Sequence, residues 1–288
     1  MIAIVATSRP AAAIWPFGTS GPGPAPRARV AVTRFELPAD LVVPLVSRVE
    51  TTFLHDGTIG ALVRSDVVDV VERTRIDAIG AEVGLTKGGY TDPAKAAQLG
   101  KLLGASHVLV GTVAEVQLRR EPRPLPYTTR TEEALRGRIR VQYRIVEVES
   151  GRVVGADSAD VRDDAGHTQG RDDAQAFWEH LQATASDVLA LRVLDVVAPL
   201  RVVTIENSRA ELSRGTSSGI ATGLVCDVLD ARQDTVAHIV VSHASATHAS
   251  GEVDGDPLAV GPGMACRPQA APPPAPPAAR SDPTAERW

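Results

Sequence analysis

The stretch from Leu62 to Thr112 constrains this chain more than any other, because two apolar, β-branched runs bracket two helical patterns within it. Val67–Val71 and His107–Val110 each have the length of a buried strand, and each is bounded by turn or cap signals. After the first run, Thr74 and Asp77 have capping-box spacing, and Ile76, Ile79 and Val83 share one helical face before Gly84 closes it. The second helix starts at Asp92-Pro93, an acceptor at the N-cap with proline at the first helical position. Ala96, Leu99 and Leu103 give it a buried stripe, and Gly104 ends it. The pattern predicts a strand–helix–helix–strand unit.

Upstream, Arg29–Phe35 reads as a strand. Asp40 caps an expected helix running to Leu54, with Leu41, Leu45, Val49 and Phe53 on one face; Gly57 interrupts it before a second helical piece, Ile59–Arg64. Downstream, the His107 strand continues to about Leu118. Arg119–Arg136 then holds three prolines and many arginines and glutamates, and is expected to be a surface loop. It lacks the apolar alternation of a membrane strand, and each arginine at the bilayer midplane would cost about 2–4 kcal/mol. Gly137–Glu149 is a long strand with Ile139, Val141, Tyr143 and Ile145 on one side. Its parity changes at Val146, which predicts a bulge or a strand covered on both faces. Ser150-Gly151 turns the chain into Arg152–Val161. A polar loop, Asp163–Arg171, precedes a helix from Asp172 to Leu194 with a stripe of Phe177, Leu181, Val188 and Leu191.

From Pro199 the pattern changes. Leu200–Ile205, Glu211-Leu212, Leu224–Leu229 and His238–Val241 are short strands separated by turn residues, the spacing of a small all-β barrel. The expected fold class is therefore α/β, a layered sheet with amphipathic helices, followed by a small all-β barrel. The division is 1–28 as a leader or arm, 29–195 as the α/β domain, 199–268 as the barrel and 269–288 as a Pro/Ala-rich tail.

Aromatic residues make up 3% of the 288 residues, so the core must come from Val, Leu, Ile and Ala. A net charge of -5 gives no electrostatic reason to expect nucleic acid as a partner. No apolar run approaches the roughly 20 residues of a membrane helix, so membrane contact is expected to be indirect at most. Ile2–Ala6 is apolar but short, and the first basic residue is Arg9, a poor match to a secretory signal. A shortened leader and a disordered cytosolic arm both fit. No cysteine near the N-terminus offers a lipid anchor.

No catalytic, cofactor or metal constellation stands out, and none of the three is expected. Glu72-Arg73 are adjacent at a strand end and so point apart, which argues against an acid–base pair and for a structural role in an ion pair or cap. Gly84, Lys87, Gly88 and Gly89 do not make a phosphate loop. Asp254 and Asp256 lie in a glycine-rich turn without further oxygen ligands at calcium spacing. His238, His243 and His248 recur every five residues, which on a strand separates the first two. His107 reads as a core or edge histidine. Cys226 and Cys266 each follow one local pattern, Gly-Leu-Val-Cys and Gly-Met-Ala-Cys, and each is expected on a barrel strand. A disulfide between them and two separate buried thiols are both open.

The order of Val70-Val71-Glu72-Arg73-Thr74-Arg75-Ile76-Asp77-Ala78-Ile79, Ala97–Leu103, Gly104-Ala105 and Val110-Gly111-Thr112 resembles the CsgG-like family of curli assembly and transport components. The segment RVVTIENSRAELSRGTSSGIATGLVCDV, with VGPGMACRP, resembles the FlgT C-terminal barrel. The first resemblance implies a non-enzymatic envelope protein, periplasmic or outer-membrane associated, whose partners are itself or other envelope proteins. Membrane hairpins build the pore of the curli channel, and the polar Arg119–Arg136 segment implies that this chain has none. The alternative is a regulatory module similar to the LpoB-type activators of peptidoglycan synthases.

Overall fold

The computed structural model describes residues 27–39, 41, 43, 45–46, 50–71, 92–124, 129–163 and 174–269. The Thr74–Gly84 helix, the Asp40 cap, most of the polar loop after Asp163, the Asp172 helix start, the leader and the tail beyond Gln269 lie outside them.

The first five strands form one mixed sheet. β1 (Arg29–Val32), β2 (Asp69–Val70), β3 (His107–Pro124), β4 (Thr131–Glu147) and β5 (Val153–Asp163) take the order β2-β1-β3-β4-β5. β1 is parallel to both its neighbours, whereas β3, β4 and β5 form an antiparallel meander. Parallel neighbours need a crossover. α1 (Thr52–Ser65) lies in the first crossover and α2 (Pro93–Leu103) in the second. α1 and α3 (Ala174–Val197) cover one face, packing Leu54, Trp178 and Leu189 against Val32, Ile139 and Val141. α2 covers one end of the other face through Ala96, Leu99 and Leu103.

The local signals of α2 hold in full. Asp92 Oδ1 accepts from the Ala94 N–H at 3.0 Å, and Gly104 closes the helix at φ 64°. The change of parity expected in β4 at Val146 is not found: the strand keeps its alternation, and its apolar run reflects coverage on both faces. Ile145 faces α1 and α3 while Val146 and Val148 face α2, and the register with β5 shifts there because Val154, on β5, is the extra residue.

Four further expectations need correction. Arg119–Arg136 is not a loop: β3 and β4 continue through it as a hairpin, with Arg119 opposite Arg136 and Pro124 opposite Thr131. Cross-strand ion pairs hold it where apolar alternation is missing, among them Arg136 Nε to Glu121 at 2.6 Å. Pro122 and Pro124 are tolerated because this length of β3 has a paired strand on one side only. Second, the helix starts at Thr52, not Asp40, and runs through Gly57. Pro44 would lie inside the longer helix without an N–H to donate, and Leu45 has φ 70°. Third, of the expected α3 stripe Leu181 is buried, but Phe177, Val188 and Leu191 are half-buried, and the core side is completed instead by Trp178, Ala185, Leu189 and Val193. Fourth, Asp254 lies in a strand, not a turn.

That strand belongs to the second sheet. β6 (Val202–Glu206), β7 (Arg209–Leu212), β8 (Val225–Leu229), β9 (Thr235–Ala244), β10 (Ala249–Gly255) and β11 (Ala265–Pro268) take the order β11-β8-β9-β10-β7-β6. The sheet curls until its ends touch, through a bridge between Arg201 and Ala265. Its two halves repeat each other. Gly223 N donates to Val241 O at 2.8 Å and Val241 N to Leu224 O at 2.8 Å. Gly263 N donates to Val202 O at 2.8 Å and Val202 N to Met264 O at 3.0 Å. Each half thus holds a strand of the other, and both glycines take left-handed φ, 85° and 86°. The repeated Gly-x-x-Cys pattern is the sequence trace of this pseudo-twofold.

Buried Arg214 ties the two units together: Nη1 donates to Asp195 at the end of α3 at 2.9 Å, and Nη2 to Ser218 O at 2.8 Å. Gly219 lies against Leu191 of α3 in the same contact.

Candidate interaction surface

Strand alternation builds the most strongly charged surface on the described residues. Because Ile139, Val141, Tyr143 and Ile145 face α1 and α3, Arg136, Arg138, Arg140, Gln142 and Arg144 must face the other way. α2 covers that face only near Val108 and Val146, so the arginines remain partly open to solvent. The ladders set Arg119 directly opposite Arg136, and Arg138 directly opposite Arg162.

Three carboxylates hold these arginines. Glu121 meets Arg119 Nε at 2.7 Å and Arg136 Nε at 2.6 Å. Glu115 lies 3.7 Å from Arg138 and 3.6 Å from Arg140. Asp160 accepts from Arg138 Nε at 2.8 Å and from its Nη2, and lies 3.4 Å from Arg140 and 3.8 Å from Arg162. The bidentate Arg138 bond holds the Asp160 carboxyl well below the usual carboxylate range, although partial desolvation opposes this. Counting Arg144, and Glu36 beside Thr112, the face carries six arginines and four carboxylates on an otherwise acidic chain.

The solvent face of the hydrogen-bonded strands β6, β7 and β10, with their flanking turns, forms an open groove of about 700 Å³. Glu206, Arg209, Glu211 and Glu252 line it, with His243 and His248. Arg209 stands opposite Glu206 on one side and Glu252 on the other, but its Nη2 donates to Ser250 Oγ at 2.9 Å. Among the described residues, Glu206, Glu211 and Glu252 have no ion-pair partner within 4 Å; Glu211 accepts from Thr204 Oγ1 at 3.3 Å.

The residues singled out in the sequence fall elsewhere. Cys226 and Cys266 are buried on the neighbouring strands β8 and β11, bonded through their sulfurs with Cα atoms 5.6 Å apart. His238 Nδ1 lies 2.7 Å from Asp227, His243 lines the groove, and His248 Nδ1 lies 2.9 Å from Thr247 Oγ1. A hydrogen bond from Gln269, then His238, lowers the Asp227 pKa. Asp254 sits opposite His238, whereas Asp256 caps a short turn by accepting from Leu258 N at 2.9 Å. His107 lies 3.0 Å from Ser106 Oγ, and burial lowers its pKa against the opposing effect of Glu147. Among the described residues, no three His, Cys, Asp or Glu side chains gather into a metal site. Glu72, Arg73, Gly84, Lys87, Gly88 and Gly89 lie outside the described residues. The arginine face itself was missed, although the alternation of Arg136, Arg138 and Arg140 is its signal.

Solved structures with partial likeness include the hypothetical protein CT253 from Chlamydia trachomatis, at 12% identity and TM-score 0.37, covering 60% of this chain and 98% of that one. Lipoprotein GNA1162 from Neisseria meningitidis follows at 16% identity and TM-score 0.35, covering 56% and 98%. The LpoB C-terminal domain from Salmonella enterica shows 12% identity and TM-score 0.33, covering 48% and 85%. Scores of this size carry no functional argument. No curated protein sequence matches the chain. The family described as curli production assembly/transport component CsgG matches residues 18–164. Because that match spans just over half of the 288 residues, and covers the five-stranded sheet with α1 and α2, the chain belongs to the CsgG family.

Proposed function

We propose that this chain is a non-enzymatic accessory protein of the cell envelope, periplasmic and outer-membrane associated, which self-associates and forms no pore of its own. The family match over residues 18–164 carries the reading. The β3–β4 hairpin supports the absence of a pore, since its surface is built from arginine and glutamate pairs where a lipid-facing band would need apolar residues. No helix among the described residues is long and apolar enough to cross a membrane. The disulfide supports an oxidising compartment. The second sheet serves as the FlgT-like barrel that its sequence resembles. Light scattering of the full chain at micromolar concentration tests the self-association. Multiples of the 30.3 kDa chain mass are expected, and a strict monomer under every condition contradicts it.

A further inference from the structure

The arginine face of the first sheet and the carboxylate groove of the second are opposite in charge and in shape. We propose that the arginine face of one copy docks in the carboxylate groove of a second copy, head to tail. This rests on the self-association proposed above and names its contact.

The face needs an anionic partner. Like charges directly opposite on a ladder are unfavourable, and here two Arg–Arg rungs, 119/136 and 138/162, lie side by side. Glu115, Glu121 and Asp160 are each already shared by at least two arginines, and Arg144, although it lines one hollow with Glu36, has no ion-pair partner within 4 Å among the described residues. The described residues of this face include no aromatic side chain, so bases of a nucleic acid would find no stacking platform.

The same chain supplies the complement. Residues 199–268 hold eight carboxylates and five arginines, and the groove gathers three of those carboxylates without cation partners. The shapes agree as well. The last rung between β4 and β5 is Gly137–Asp163, so the rungs from Arg119–Arg136 to Pro124–Thr131 form a two-stranded arm beyond the third strand. The inner side of this arm is packed at Leu135, and its charged side, with exposed Arg119 and half-buried Arg136, is open to the groove. Since the two patches belong to different sheets, the contact is heterologous, and repeats into a ring or a filament.

Sedimentation equilibrium of the full chain at low and high NaCl, on wild type and three variants, tests the contact. R119E/R162E reverses two exposed arginines at the arm end of the face, and E206R/E252R reverses two carboxylates of the groove. Association of the wild type should weaken with salt, and each double variant should weaken it about tenfold or more. Combining all four substitutions should restore association, which also shows that the reversed chains fold. If the wild type associates but both double variants do so equally well, the proposed contact is overturned and self-association stands. If the wild type is monomeric at every concentration and salt, self-association itself is contradicted.

Discussion

Gly57 shows how one residue sets the distance between two helices. A β-carbon there would stand 2.6 Å from Ser186 Oγ, a hydroxyl already donating to Leu54 O at 2.9 Å. Alanine raises helix propensity by about 1 kcal/mol, but here the overlap opposes it, and α1 must shift from α3. G57A should therefore lower stability by about 1–3 kcal/mol, read as an earlier denaturant midpoint. Asp160 gives a prediction in pH. Its folded pKa is depressed chiefly by the Arg138 hydrogen bond, so its stabilisation is present above the unfolded value and lost as pH falls through the folded one. Thermal melts should show stability falling below about pH 4. D160N should be less stable than wild type at neutral pH and lose less on acidification; equal acid slopes would contradict the assignment. What was legible at this scale was local. Asp92, Pro93 and Gly104 specify α2 because cap and stop act within a few residues. The pairing of Glu206 and Glu252 across Arg209 depends on sheet register, which no short window of sequence carries.

Among the elements, the β3–β4 hairpin is the most instructive. Its sequence was misread as a loop because charge pairs, not apolar alternation, stabilise it. Arg120 opposes Leu135 and lies 3.6 Å from Glu133, so a two-stranded arm forms with little apolar surface. Such an arm has no lipid-facing band. Planar-bilayer recordings with the purified chain should show no conductance above buffer, and stepwise channels would contradict the hairpin reading. The α3 register was missed for a different reason. Apolar residues surround that helix, so periodicity alone could not choose between Phe177 and Trp178, and tertiary packing buried the tryptophan.

The whole molecule is two sheets joined at a buried arginine, with a disulfide inside the second. Cys226 and Cys266 occupy equivalent places in the two halves of the pseudo-twofold, and their bond links β8 to β11 near the point where the sheet ends touch. The sequence separation of 40 implies a contribution of about 3–4 kcal/mol in the chain-entropy picture. C226S/C266S should melt earlier than the oxidised wild type, and reductant should lower the wild-type midpoint without moving that of the variant. The central claim concerns the assembled protein in its cell: a self-associating CsgG-family protein of the envelope. Chemical cross-linking in intact cells of the native source, followed by mass spectrometry of the separated fractions, tests it most directly. The account predicts chain-to-chain cross-links in the envelope fraction, including links between the β3–β4 hairpin of one copy and the second sheet of another. Recovery of the chain only from the cytosolic fraction, with links only within a single copy, would contradict it.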